Sequence, residues 1–86
     1  MIFGISYDNQ PKSFLKKLDK HLAKRIVDKI DETLPNNPVP QDAKRALGYG
    51  LPTFRIRVGK YRVLYRINYE IKVIVIVKID KRERVY

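Results

Sequence analysis

The chain has 86 residues, 19 Lys and Arg against 9 Asp and Glu for a net charge of +10, and no cysteine. That length supports a single domain, residues 1–86, which buries roughly 60–65% of its unfolded surface and so has a modest core. The missing cysteines exclude a disulfide framework, a zinc ribbon and a thiol nucleophile together. The longest unbroken apolar run, Val73 to Val77, is far short of the ~18 residues of a membrane span, so no membrane partner is expected. The start, Met1-Ile2-Phe3-Gly4, does not read as a signal peptide, and a cytoplasmic location is expected.

The charge is unevenly spread. Residues 1–43 hold seven basic and six acidic side chains, and residues 44–86 hold twelve basic and three acidic, so the halves carry +1 and +9. Localised basicity of this kind points to a polyanionic partner.

Ile2 to Tyr7 is short and β-rich and predicts a first strand. Asp8 and Asn9 are suitable helix N-caps, and Pro11 suits a first helical turn. Phe14, Leu15, Leu18 and Leu22, then Ile26, Val27, Ile30 and Leu34, recur at spacings of three and four, which gives one apolar face. With Asp19 as a second N-cap, this predicts a short helix, a break near residues 19–21, and a longer helix to about Thr33. Pro35, Pro38 and Pro40 make the next segment an extended connector. Lys44 to Leu47 can add a short strand, and Gly48 to Pro52 reads as loop.

From Thr53 the period changes to two. Phe54, Ile56 and Val58 alternate with Thr53, Arg55 and Arg57, and Gly59-Lys60 fits a type II′ hairpin turn. The return strand alternates Tyr61, Val63, Tyr65 and Ile67 with Arg62, Leu64 and Arg66. Asn68-Tyr69-Glu70 predicts another turn, and Ile71 to Ile79 a strand covered on both faces. The remainder, from Asp80 to Tyr86, reads as a charged tail. The order β-α-α-β-β-β predicts an α+β domain, a two-helix hairpin packed on one face of an antiparallel sheet.

The hairpin turn sets the cross-strand pairs. Arg57 lies opposite Arg62, Arg55 opposite Leu64, and Thr53 opposite Arg66, so four arginines share one face. Directly opposed like charges cost roughly 0.2–1 kcal/mol per pair, and a face that needed only solvation would mix its charges. Arginine grips phosphate oxygens bidentately, so a phosphate-binding face is the functional reading. His21, the single histidine, falls at the helix break without a partner for catalysis. Glu70 in its turn serves solubility. No carboxylate pair, Gly-rich phosphate loop, metal-ligand cluster or Ser-His-Asp arrangement is present, and no cofactor is expected.

The run Phe54-Arg55-Ile56-Arg57-Val58-Gly59-Lys60-Tyr61-Arg62-Val63-Leu64-Tyr65, with the ending Lys81-Arg82-Glu83-Arg84-Val85-Tyr86, resembles the RelE family of toxin–antitoxin toxins, its archaeal members above all. The resemblance implies a ribosome-dependent, metal-independent endoribonuclease that cleaves mRNA codons in the A site. It also implies an acidic RelB-like antitoxin in an oligomeric complex. By the same resemblance Arg62, Arg82 and Tyr86 are catalytic, and Arg55 and Arg57 hold the RNA backbone. Arg66, Lys81 and Arg84 join them as RNA-binding candidates. Where bacterial members carry lysines, this chain has Arg55 and Arg57, whose pKa above ~12 speaks against a general-base role. The ending is also shorter than theirs and lacks their C-terminal helix. Two alternatives share the basic character: a ParE-like toxin that acts on DNA gyrase without chemistry, and an RNA-binding module with no enzymatic activity.

Overall fold

The computed structural model describes residues 2–46 and 52–81; the predicted loop at 48–51, Leu47 and the tail beyond Lys81 lie outside them. A first strand, β1 (Gly4–Tyr7), leads into two helices, α1 (Asn9–Lys17) and α2 (Lys20–Thr33). Four strands follow: β2 (Lys44–Ala46), β3 (Thr53–Val58), β4 (Tyr61–Asn68) and β5 (Val73–Lys81). They form one five-stranded sheet in the order β1-β5-β4-β3-β2.

The helices form where the apolar period predicts them, and the break falls at Leu18-Asp19. Asp19 caps α2, its side chain accepting from the backbone N–H of His21 at 2.9 Å. Asp8 occupies the cap position of α1 without a side-chain cap bond, and Asn9 is already helical. The stripe of α2 buries Ile26 and Ile30, and Leu34 at its C-cap follows them inward. They pack on Ile56, Val58, Val63, Tyr65, Ile67, Ile74, Ile76 and Ile79, all from one face of the sheet. Phe14 meets Tyr61 edge-on, with ring centroids 5.9 Å apart.

The sheet departs from the expected all-antiparallel form at one edge. β1 runs parallel to β5, Gly4 opposite Val73 through Tyr7 opposite Ile76. Alternation reports which face a residue takes and is silent on strand direction, and the long stretch between these strands permits either. Past Tyr7 the edge of β5 is closed by a side chain. Gln10 donates from Nε2 to the carbonyl of Ile79 and accepts its N–H at Oε1, both at 2.9 Å. Its amide thus takes the place of a strand residue.

The β4–β5 turn is longer than its sequence predicts. Asn68 Oδ1 accepts from the N–H groups of Glu70 and Ile71, and Lys72 takes a φ of 58°. β5 therefore begins at Val73, and Ile71 is exposed in the turn. At its other end the strand runs through Asp80 and Lys81, which the sequence reads as tail. The Gly59-Lys60 turn is as predicted, with Gly59 at a φ of 61° and no positive φ at Lys60. An added Cβ at Gly59 would meet nothing within 4 Å, so only its backbone angle demands glycine.

Two tyrosines on the helix side differ in how their hydroxyls are served. Tyr65 donates to the carbonyl of Pro38 at 2.7 Å, tying the proline connector to the core. The Tyr7 hydroxyl is buried and has no hydrogen-bond partner among the described residues. Burial, reinforced by the charge of Asp31, pushes its pKa up to about 12 from 10.0. The folded chain holds this proton more tightly than the unfolded one. Stability from this group is therefore intact below about pH 10 and is lost as pH rises through about 12. Tyr7→Phe should raise unfolding free energy in urea by about 1 kcal/mol at neutral pH and flatten the alkaline decline. Tyr65→Phe should lower it by about 1 kcal/mol, because the Pro38 carbonyl loses its donor.

Candidate functional site

The face of the sheet turned away from the helices is organised in rows that cross the strands. One row runs Lys44, Arg55, Leu64, Lys78, and the next runs Arg57, Arg62, Asp80. A third, Ala46, Thr53, Arg66, Val75, Ser6, crosses all five strands. The β3–β4 pairs are those the hairpin arithmetic predicts, so the four arginines do share a face.

They do not share one site. Arg55, Arg57 and Arg62 line a cavity of about 410 Å³ together with Asp42, Lys44 and Ile56. A smaller hollow of about 190 Å³ beside it is lined by Arg55, Arg62, Leu64, Lys78 and Asp80. Arg66 lines neither of these hollows. It sits half-buried opposite Thr53, which is 1% exposed, and its Nε is buried without a hydrogen-bond partner among the described residues. The two hollows of the arginine face therefore open at its Gly59 end, and Arg66 lies apart from them toward Thr53.

Two acidic residues enter the site that the sequence reading leaves out. Asp42 lies on the β2 side of the cavity. Asp80 pairs with Arg62, with Nε to Oδ1 at 3.3 Å and Nη2 to Oδ2 at 3.5 Å. Lys78 stands 3.9 Å from the same carboxylate. Arg55 and Arg57 form no ion pair among the described residues, and both are exposed.

A bulge explains why Asp80 is here. The register between β4 and β5 shifts between Leu64 and Tyr65, so Val77 has no partner of its own. Strict alternation from Ile74 and Ile76 would put Lys78 and Asp80 under the helices and Lys81 among the arginines. The extra residue reverses that assignment. Lys81 pairs with Tyr61 and lines a cavity on the helix side with Leu22, Ile26 and Val58. It stands on the opposite side of the sheet from Arg62. Arg82, Arg84 and Tyr86 lie outside the described residues. His21 is exposed in the first turn of α2 and lines neither hollow.

Chemically, the open end is a shallow groove in which Lys44, Arg55, Arg57 and Arg62 converge. Such a surface binds a chain of phosphates and can stabilise charge that develops on one of them. Arg57→Gln removes a directly opposed like charge, so it should leave stability unchanged or raise it by about 0.2–1 kcal/mol in urea unfolding. The same change should weaken single-stranded RNA binding and lower the slope of log K against log salt by about 0.7.

A family model described as the ParE toxin of the parDE type II toxin–antitoxin system matches residues 5–86. RelE1 of Methanocaldococcus jannaschii is 35% identical to this chain over 89 residues, covering 100% of it and 97% of the relative. The archaeal RelE–RelB complex from Pyrococcus horikoshii OT3 contains a chain that superposes with a TM-score of 0.83 at 32% identity, covering 99% of this chain and 100% of that one. The Mycobacterium tuberculosis RelBE2 complex gives a TM-score of 0.79 at 29% identity, with 95% and 100% covered. The isolated Escherichia coli RelE has the same fold, with a TM-score of 0.79 at 21% identity over 96% of this chain and 87% of its own.

Proposed function

The chain belongs to the RelE/ParE family of type II toxin–antitoxin toxins, is of RelE type, and we propose that it is a ribosome-dependent endoribonuclease that cuts mRNA in the A site. The observation that carries this reading is the groove itself. Four cationic side chains converge on it, three of them arginine, and the cross-strand pair Arg57/Arg62 is kept there at a cost to the sheet.

In the reaction, the 2′-OH of one nucleotide attacks its own 3′-phosphate. The bond from 2′-oxygen to phosphorus forms as the bond from phosphorus to the 5′-oxygen breaks. The 2′-hydroxyl gives up its proton and the departing 5′-oxygen gains one, leaving a 2′,3′-cyclic phosphate and a 5′-hydroxyl. Arg62, with Arg82 of the ending, stabilises the charge that builds on the phosphoryl oxygens. Arg55 and Arg57 hold the backbone and favour the 2′-alkoxide. Tyr86 stacks on the codon, as the family resemblance implies. A site built from arginines works by electrostatics and is a poor ribonuclease alone, so the ribosome supplies the orientation of the RNA. The four-cation groove is also where an acidic, RelB-like antitoxin would block action. The relatives from Pyrococcus horikoshii and Mycobacterium tuberculosis were both crystallised as complexes with an antitoxin.

Primer extension on translating ribosomes tests the proposal. Wild-type toxin should give codon-phased cuts, and Arg62→Ala should reduce them by about 100-fold or more. Equal cutting by the two proteins would overturn the assignment. Induced expression that produced DNA breaks and no new mRNA 5′ ends would move the chain to a ParE-like action on gyrase.

A further inference from the structure

Arg62 sits between two opposing influences. Arg57 faces it across one strand gap with the same charge, and Asp80 faces it across the other with the opposite charge. Arg62, like Arg55, lines both hollows of the face, so the two side chains stand together between them. Asp80 engages the guanidinium along one edge, through Nε and Nη2. A guanidinium has five N–H donors in a fixed fork, so the remaining ones stay available to a phosphate while the plane of the group is held. The pair is partly solvated, with side-chain exposures of 40% and 34%. Screening at such a site keeps the pair from acting as a lock.

We propose that Asp80 is a positioning residue for Arg62. Its carboxylate draws the guanidinium away from Arg57 and fixes the orientation in which the free N–H edge meets the phosphate under attack. This rests on the reading of the groove as the site of RNA cleavage. Two other roles for Asp80 are open to direct contrast. As a mere competitor, it would hold Arg62 away from phosphate. As a group acting on the substrate itself, it would work independently of Arg62.

The experiment compares Asp80→Asn and Asp80→Glu in wild-type and Arg62→Ala backgrounds. Single-turnover cleavage is measured on programmed ribosomes, and affinity is measured with an uncleavable 2′-O-methyl RNA. Asp80→Asn should slow cleavage by about tenfold to a hundredfold, as small misplacements of a catalytic group do. Its affinity for the analogue should be unchanged or tighter, since a negative charge has been removed. Asp80→Glu should recover most of the rate. In the Arg62→Ala background Asp80→Asn should cost less than about twofold more, because residues acting as a unit are not additive. Cleavage by Asp80→Asn as fast as wild type or faster would overturn the proposal in favour of a competitor. A full additional loss in the Arg62→Ala background would overturn it in favour of direct action.

A second measurement separates this inference from the function it rests on. In the free toxin the Nε–H resonance of Arg62 should be sharp and slow to exchange, and should broaden in Asp80→Asn. No change in that resonance would overturn the positioning role whatever the wild type cleaves. The expected change together with a wild type that cuts no mRNA would overturn the ribonuclease reading instead.

Discussion

The pair of hydrogen bonds between Gln10 and the backbone of Ile79 holds together more of this molecule than its size suggests. β1 stops pairing with β5 at Ile76, leaving the last five of that strand's nine residues with an open edge. Gln10 closes the edge with a side-chain amide that serves both backbone groups of one residue. It anchors α1 to β5 and fixes the segment just past the bulge, where Lys78, Asp80 and Lys81 are distributed between the two faces. An exposed glutamine at the second position of a helix thus helps decide what the opposite side of the sheet presents.

That opposite side is best understood as rows of charge. The row through Arg55 is cationic at three of four positions, and the row through Arg62 ends on a carboxylate. The row through Arg66 joins neither hollow. Part of the chain's net charge is therefore gathered at one end of one face, where field from converging cations reinforces rather than disperses. A family resemblance directs attention to single arginines, whereas the sheet shows which of them act on the same volume of solvent.

Much of this was legible in the chain. The period of Phe14 to Leu34 marks both helices, and Gly59-Lys60 fixes the β3–β4 register down to each pair, because a two-residue turn leaves no freedom in alignment. β5 resisted the same treatment. Val73 to Val77 is a run of five alike apolar residues, and a uniform run carries no alternation from which an extra residue could be detected. Asp80 and Lys78 consequently read as tail and strand interior, although they belong to the groove. The parallel sense of β1 was hidden for a related reason: side-chain periodicity encodes faces, while direction is encoded in long-range pairing. Asn68, whose side chain captures two backbone N–H groups, delays the start of β5 by two residues in a way composition alone does not announce.

The bulge at Val77 makes the length of β5 a stricter constraint than its composition. Val73, Val75 and Val77 are half-buried and could each be exchanged among β-branched residues at little cost. Loss of Val77 would only remove the bulge and leave the pairs of Ile76 and Lys78 continuous. Adding one residue between the turn and Ile79 would instead exchange the two sides of everything downstream. Ile79 would leave the core for the groove, and the carboxylate of Asp80 would be driven beneath the helices. A strand of this kind tolerates drift in spelling but no gain in length, so substitutions should accumulate along it in descendants while insertions do not.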